Sequence, residues 1–590
     1  MWVFPVLVVG SSVALSFPVG RYLARIGDAP HAPAGSRWWE RLIDTGPQDW
    51  KQFALSLLAF NTIMFVVGYA ILATQPIHPA WLNPDHKGLL APGTIFNTVI
   101  SFQSNTSLQH YSGEQHLSYL SQLTAILWNM FVSGGTSLCA LLAVIRGLRG
   151  DAHVGNFYVD LRRSTAYVLF PAALVAGLFQ LPAGVPMTFR GAQPAEGVEG
   201  ETQTIARGPV APLVPVKHLC SVGGGFFGAN SAHPYENPNA WTNLVCCVCM
   251  LLLPCAVVVM FGVMLNNRRH AAVLYGVMAV LLTFLITWML YWDALRPNPG
   301  LGVRDPVPVD VQDEHGRPVR KTLPPLAALP VDQPAGNLEE KELRFGPSAA
   351  PTFAAVSTSV ACGSVDCMHD SLNPLSGLGA LVAMWLNSVF GGKGAGLVNL
   401  LLYTIVGVFF TGLMVGRTPE YLGKKIESRE MKLAMLALLV HPFMILLPTA
   451  IFAILPWGTA STTNPDGHGF SQIIYEFSSA SANNGSEFAG LQQTWGAADN
   501  PQPAPFSLHW DIATGVVMLV SRFVPLLAAL ALTGGLALKK PTPHTVGTLR
   551  TDTVTFACVL LGTVLLLGAL LFLPAAMLGP GSEHFGPMPF

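Results

Sequence analysis

Ten stretches of about twenty predominantly apolar residues, each almost free of charge, run along this chain near 2–20, 53–75, 117–145, 164–183, 240–266, 271–292, 397–416, 433–456, 508–537 and 553–578. A helix needs about 20 such residues to cross the hydrocarbon core of a bilayer. Charged residues make up only 11% of the 590 positions, whereas soluble proteins carry roughly 25%. Folding in water would therefore demand several large cores beneath an almost uncharged surface. The expected class is an all-α polytopic membrane protein with ten transmembrane helices, its solvent the lipid bilayer. A net charge of −1 offers no basic face for nucleic acid. The nine cysteines show no paired metal spacing, and Cys246, Cys247 and Cys249 sit in an apolar run where cysteine acts as a small hydrophobe.

Orientation follows from the basic residues. The first stretch has none before it and Arg21 and Arg25 after it, the reverse of a cleaved signal peptide. Alternate connections hold 19 of the 32 basic residues: Arg21, Arg25, Arg37, Arg41 and Lys51, then Arg146, Arg149, Arg162 and Arg163, then Arg268 and Arg269, then Arg417, Lys424, Lys425, Arg429 and Lys432, then Lys539, Lys540 and Arg550. Short basic connections mark the cytoplasmic side, so both termini are expected to be extracytoplasmic. The proline-rich 294–350 connection has no helical period and reads as an extended external excursion without a folded enzyme domain.

Four outward connections resist a simple loop reading. Each holds a short, semi-apolar stretch (94–104, 217–222, 352–361 and 470–482) followed by a polar cluster of small residues. These clusters are Ser104-Asn105-Thr106-Ser107-Leu108-Gln109, Gly223-Gly224-Gly225-Phe226-Phe227-Gly228-Ala229-Asn230-Ser231, Cys362-Gly363-Ser364-Val365 and Asn483-Asn484-Gly485-Ser486, roughly 120 to 140 residues apart. About ten residues cannot cross a bilayer and must enter and return. Irregular backbone at membrane depth is tolerated only inside protein or beside water. Four such segments around an axis satisfy both conditions. They would aim helix C-termini at a cation and replace its hydration shell with backbone carbonyls. Gly223, Gly363 and Gly485 hold comparable places in three copies.

At these loops the chain resembles the A subunits of the bacterial Kdp potassium-transporting ATPases. The resemblance runs over nearly the whole chain and is densest at 111–114 (YSGE), 223–237 (GGGFFGANSAHPYEN), 368–371 (MHDS), 416–432 (GRTPEYLGKKIESREMK) and 483–491 (NNGSEFAGL). It implies four pore repeats (50–150, 162–268, 270–420 and 430–540) flanked by extra spans at 1–25 and 550–590. It also implies a K+ filter built from Ser104, Asn105, Thr106, Ser221, Val222, Gly223, Gly224, Cys362, Gly363, Asn483, Asn484 and Gly485, with K+ as the bound, transported ion and no organic cofactor. A P-type ATPase catalytic subunit, two small accessory membrane subunits and a bacterial inner-membrane location follow from the same resemblance. The first loop departs from the usual Thr-Asn-Thr-Asn-Trp at Ser104, Ser107 and Leu108. The second departs from Thr-Asn-Gly at Ser221 and Val222.

The glycines of 390–396 (Gly391, Gly392, Gly394 and Gly396) should break the third repeat's second helix, which by family analogy acts as a gate below the filter. Lys393 stands there in place of a small apolar residue. It either snorkels or pairs with a carboxylate, or faces the ion cavity and competes with potassium. Arg522, in mid-span, is either a fixed charge along the ion's route or a permanent partner of Asp370 or another carboxylate. Lys393 and Arg522 are the two basic residues expected inside the bilayer. Glu114, Glu236, Asp366, Asp370 and Glu487 follow the filter loops as a candidate anionic vestibule, and His233 reads as a loop-packing residue.

No G-x-x-x-x-G-K-[ST] or Asp-Lys-Thr-Gly-Thr motif occurs, so the expected role is the non-catalytic, potassium-selecting subunit of an ATP-driven uptake pump, with 417–432 as a candidate partner contact. The alternatives are a self-sufficient potassium channel or ion-coupled transporter using the same loops, and a membrane-embedded enzyme using His233 and Glu236.

Overall fold

A computed structural model describes the chain except residues 30–43, 298–306, 313–317, 324–335, 415, 417, 465, 493–502, 541–549 and 586–590. Arg37, Arg41, Arg417 and much of the 294–350 connection therefore lie outside the described residues. Among the described residues ten helices are long and apolar enough to span a membrane: Val3–Gly27, Trp50–Ala73, Ser121–Arg149, Phe157–Ala183, Ala240–Met264, Arg268–Ala294, Ala395–Met414, Ser428–Ile454, Ser507–Ala537 and Val554–Phe585. The protein is a multi-pass helical membrane protein.

The helices sort by what they face. Trp50–Ala73 and Val554–Phe585 present Leu55, Val66, Leu566 and Leu570 outward, each more than half exposed, as lipid-facing surfaces require. Ser121–Arg149 is buried along almost its whole length. Its small residues let neighbours approach closely: a Cβ on Gly135 would come within 2.8 Å of Leu161 and Thr165. The first helix packs along Ala240–Met264, and the last lies against Arg268–Met289, Pro374–Leu386 and Ala395–Met414.

Between the paired spans lie four short helices, Pro92–Gln103, Leu213–Leu219, Ala349–Ser359 and Asp466–Ala482, all deeply buried through their final turns. Each pair of spans with its short helix forms one repeat. Two of the connections between spans carry antiparallel hairpins, Gln193–Glu196 with Thr202–Ile205 and Val307–Gln312 with Pro318–Leu323. The second hairpin lies within the 294–350 connection, which has no helical period.

At the basic ends of the spans, several charges counted as side markers are structural. Arg146 grips Asp160 through two bonds of 2.5 and 3.0 Å and also donates to the carbonyls of Val154 and Gly27. In the 416–432 segment, Lys424 donates to the Leu148 carbonyl at 3.0 Å. Tyr421 is fully buried against His270, its hydroxyl 2.8 Å from the ring Nε2. Lys539 binds Glu427 and Glu430.

Candidate ion-selecting site

All four short helices end in the same way. A residue one or two positions past each helix takes a positive φ (Asn105 66°, Ser221 41°, Ala361 50°, Asn483 52°). The next amide then reaches back five residues: Thr106 N to Ser101 O at 2.8 Å, and Val222 N to Lys217 O, Cys362 N to Ser357 O and Asn484 N to Ser479 O at 2.9 Å. This is the Schellman closure of a helix C-terminus. It spends one last-turn carbonyl on the loop itself, so the helix-end oxygens expected to face the axis are partly consumed locally.

The following position turns again through positive φ at Ser107 (68°), Gly223 (56°), Gly363 (84°) and Gly485 (101°). A left-handed backbone favours glycine, and here close approach adds a second reason. A Cβ on Gly223 would collide with the Cys362 carbonyl, one on Gly363 with the Asn484 carbonyl, and one on Gly485 with the Thr106 carbonyl. Loops two, three, four and one thus touch in series. The circuit closes where Asn105 Nδ2 donates to Ser221 O at 2.8 Å, and Gly224 lies against Ser107.

Among the described residues the carbonyls of Asn105, Thr106, Ala361, Cys362, Asn483 and Asn484 accept no hydrogen bond. Loop two differs: Val222 O accepts Gly224 N at 2.7 Å and Gly223 O accepts Asn230 Nδ2 at 2.5 Å. Behind it lies a residue the sequence reading passed over. Lys217 is fully buried and donates to Asn230 Oδ1 at 2.6 Å and to Glu236. Lys217 thus joins Lys393 and Arg522 as a buried basic residue. A lone lysine inside an otherwise uncharged half-helix was the available signal.

The carboxylates of the candidate vestibule are each engaged by a partner. Glu236 is ion-paired with Lys217 and accepts Phe227 N at 3.0 Å. Glu114 accepts Gly228 N at 2.8 Å, and Asp366 accepts Asn243 Nδ2 at 3.0 Å. Asp370 meets His468 and Gln472, and Glu487 accepts Gln109 N at 3.3 Å. Burial pushes the Asp366 carboxyl up to about 7 and that of Glu487 up to about 8. His233 stacks flat on Phe227 with ring centroids 3.7 Å apart.

Beneath the ring the third repeat's second helix is interrupted. Pro374–Leu386 stops at Asn387, whose φ is 41°, and the helix resumes at Ala395. The break begins three residues before the expected 390–396 window because Asn387, a residue that tolerates left-handed backbone, caps the first half. Gly392 N donates to Val360 O at 2.7 Å, tying the break to the third pore helix. Gly396 N donates to Gly391 O at 2.5 Å, and Gly394 packs on Leu141. A cavity of about 70 Å³ lies here, lined by Asn105, Ala361 and Asn483 from the ring together with Lys393 and Arg522, and by no carboxylate. Lys393, 1% exposed, places Nζ 3.3 Å from Asn105 Oδ1. Arg522 donates to Ser137. The pairing of Arg522 with Asp370 is thus overturned, since Asp370 is engaged by the side chains of His468 and Gln472.

Comparison with known proteins agrees with this architecture. Residues 6–585 match the family model for the potassium-transporting ATPase A subunit. A protein of Caldanaerobacter subterraneus subsp. tengcongensis called potassium-transporting ATPase potassium-binding subunit is 44% identical over 91% of this chain and 89% of its own length. One of the same name from Alicyclobacillus acidocaldarius is 43% identical over 98% of both chains. The crystal structure of the potassium transporter TrkH from Vibrio parahaemolyticus superposes with a TM-score of 0.51 at 11% identity, over 89% of this chain and 98% of that one. That likeness is one of fold.

Proposed function

The chain belongs to the family of potassium-transporting ATPase A subunits, and on that premise we propose that it selects extracytoplasmic K+ at the four-loop ring and passes it to a P-type ATPase partner. The observation that carries this reading is the closed ring: four identically capped helix ends, with three loops presenting two successive carbonyls that accept no hydrogen bond. Such oxygens replace the hydration shell of a monovalent cation without introducing a countercharge. Potassium is the substrate here, and the chain supplies backbone dipoles at fixed spacing.

The chain sits in the bacterial inner membrane with both termini outside, so that the pore helices descend from the external face. ATP is hydrolysed in the partner subunit, and two small accessory subunits complete the assembly. The test is copurification with the P-type ATPase subunit and measurement of K+-stimulated ATP hydrolysis. Gly223→Asp should abolish discrimination of K+ from Na+. Discrimination that survives this substitution would sink the ring assignment. Potassium flux from the isolated chain, with no ATPase partner bound, would favour a self-sufficient channel or ion-coupled transporter.

A further inference from the structure

A cluster of ligand-type side chains above the ring has no part in carbonyl coordination of potassium. His110 follows the first loop, Glu476 lies in the fourth pore helix and Glu487 follows the fourth loop. One donor atom from each falls within 4.8 Å of the other two, and His110 and Glu476 are both 1% exposed.

The second shell is already in place. His110 Nδ1 lies 2.7 Å from Asp511 Oδ1, and the other oxygen of Asp511 accepts Thr94 Oγ1 at 2.8 Å. A carboxylate fixed in this way accepts the Nδ1–H hydrogen bond and leaves the Nε2 lone pair toward the cluster, the carboxylate–histidine arrangement of metal-binding imidazoles. His110 Nε2 stands 3.1 Å from Glu476 Oε1. The ligand-to-ligand edge of a tetrahedral site with bonds of about 2.0–2.1 Å is about 3.3 Å. A protonated imidazole bridging Asp511 and Glu476 would show the same distances. It would leave Glu476 Oε2 unexplained: that oxygen is buried and has no hydrogen-bond partner among the described residues. Buried carboxylate oxygens are seldom abandoned, and a cation bound between Glu476 and Glu487 satisfies this one.

We propose that His110, Glu476 and Glu487 form a binding site for a divalent transition-metal ion, with Asp511 orienting the histidine. One imidazole with two carboxylates suits Zn2+, the preferred probe, over Mg2+ or Ca2+. Bound metal would join the first loop, the fourth pore helix and the fourth loop. It would also reach the second loop, because Gln109, adjacent to His110, accepts Gly225 N at 2.9 Å. The ion is thus a structural clasp on the outer mouth of the ring.

The experiment uses the purified full chain in detergent, loaded with zinc alone, desalted and measured for metal content. The expected result is about one zinc per chain, with an X-ray absorption edge showing a nitrogen and oxygen shell and no sulfur. His110→Gln and Glu487→Gln should weaken binding by about 10- to 100-fold or more, and Asp511→Asn by about 10- to 100-fold. Circular dichroism and melting of each variant establish that it is folded, and the wild-type absorption edge stands independently of them. A wild-type chain that retains no zinc, zinc that survives both ligand substitutions in folded variants, or a sulfur-containing shell overturns the proposal. None of these readouts depends on potassium transport, so the two readings fail separately.

Discussion

Replacing Lys393 by Met should make the protein bind potassium more tightly. The lysine ammonium lies in the cavity directly under the ring, 3.3 Å from Asn105 Oδ1, in a wall that contains no carboxylate. Asn105 is also the left-handed residue that turns the first loop toward the axis. If the loop carbonyls hold an ion as proposed, then at a separation of about 6 Å and an effective dielectric of about 20 the two unit charges repel by about 2–3 kcal/mol. That energy corresponds to roughly 30- to 150-fold in affinity. Burial keeps mobile salt from screening the pair. The assay is K+-stimulated ATP hydrolysis of the complex as a function of potassium concentration. Lys393→Met should lower the half-saturating concentration by at least about tenfold, while Lys393→Arg, which keeps the charge, should remain within about threefold of the parent. A Met variant with an unchanged half-saturating concentration would refute the reasoning, since an ammonium that leaves the ion's energy untouched does not face it.

Three further outcomes are expected. Ser107 occupies a left-handed position that glycine holds in the other three loops, so Ser107→Gly should raise stability by about 1 kcal/mol, read as an upward shift in melting temperature with potassium selectivity retained. Asp160→Asn strips the buried Arg146 of its bidentate partner and should destabilise by about 3–5 kcal/mol, more than surface changes in the basic loops. Burial opposes charge on His468, yet its hydrogen bonds to Asp370 and Glu583 outweigh that and hold its pKa up to about 10. This contact should therefore stabilise fully below about pH 6.5 and weaken as pH rises toward 10, a decline that His468→Gln should remove from the melting profile.

The spans were legible because hydropathy over twenty residues is a long, one-dimensional signal. The pore helices were legible by a subtler route: each is too short to cross and is followed by small polar residues at a regular interval. Positions that need three dimensions were not legible. Nothing in the local sequence says that Glu236 meets Lys217 or that Asp370 belongs to His468 and not to Arg522, because each is one polar residue among several loop charges. The partners of the candidate vestibule carboxylates were hidden for the same reason. A carboxylate near a pore mouth looks alike in sequence whether it faces water or fastens a loop.

One repeat position shows how far equivalence extends beneath unlike residues. Ser101, Lys217, Ser357 and Ser479 all supply the carbonyl that closes the Schellman turn. The three serines also fasten their loops with their side chains: Ser101 Oγ donates to Leu108 O at 2.9 Å, Ser357 Oγ donates to Ser364 O at 2.6 Å, and Ser479 Oγ accepts Gly485 N at 2.9 Å. Lysine cannot accept and is too long to turn back on its own loop. Lys217 instead reaches outward to Asn230, whose amide in turn holds Gly223 O. The second loop is thereby fastened from behind through an asparagine, and one of its carbonyls is withdrawn from the ring. The buried ammonium requires a buried partner, which explains why Glu236 is fully enclosed. A four-loop ring with one chemically distinct quadrant follows: loops one, three and four present free oxygens, and loop two acts chiefly as the wall against which they are set.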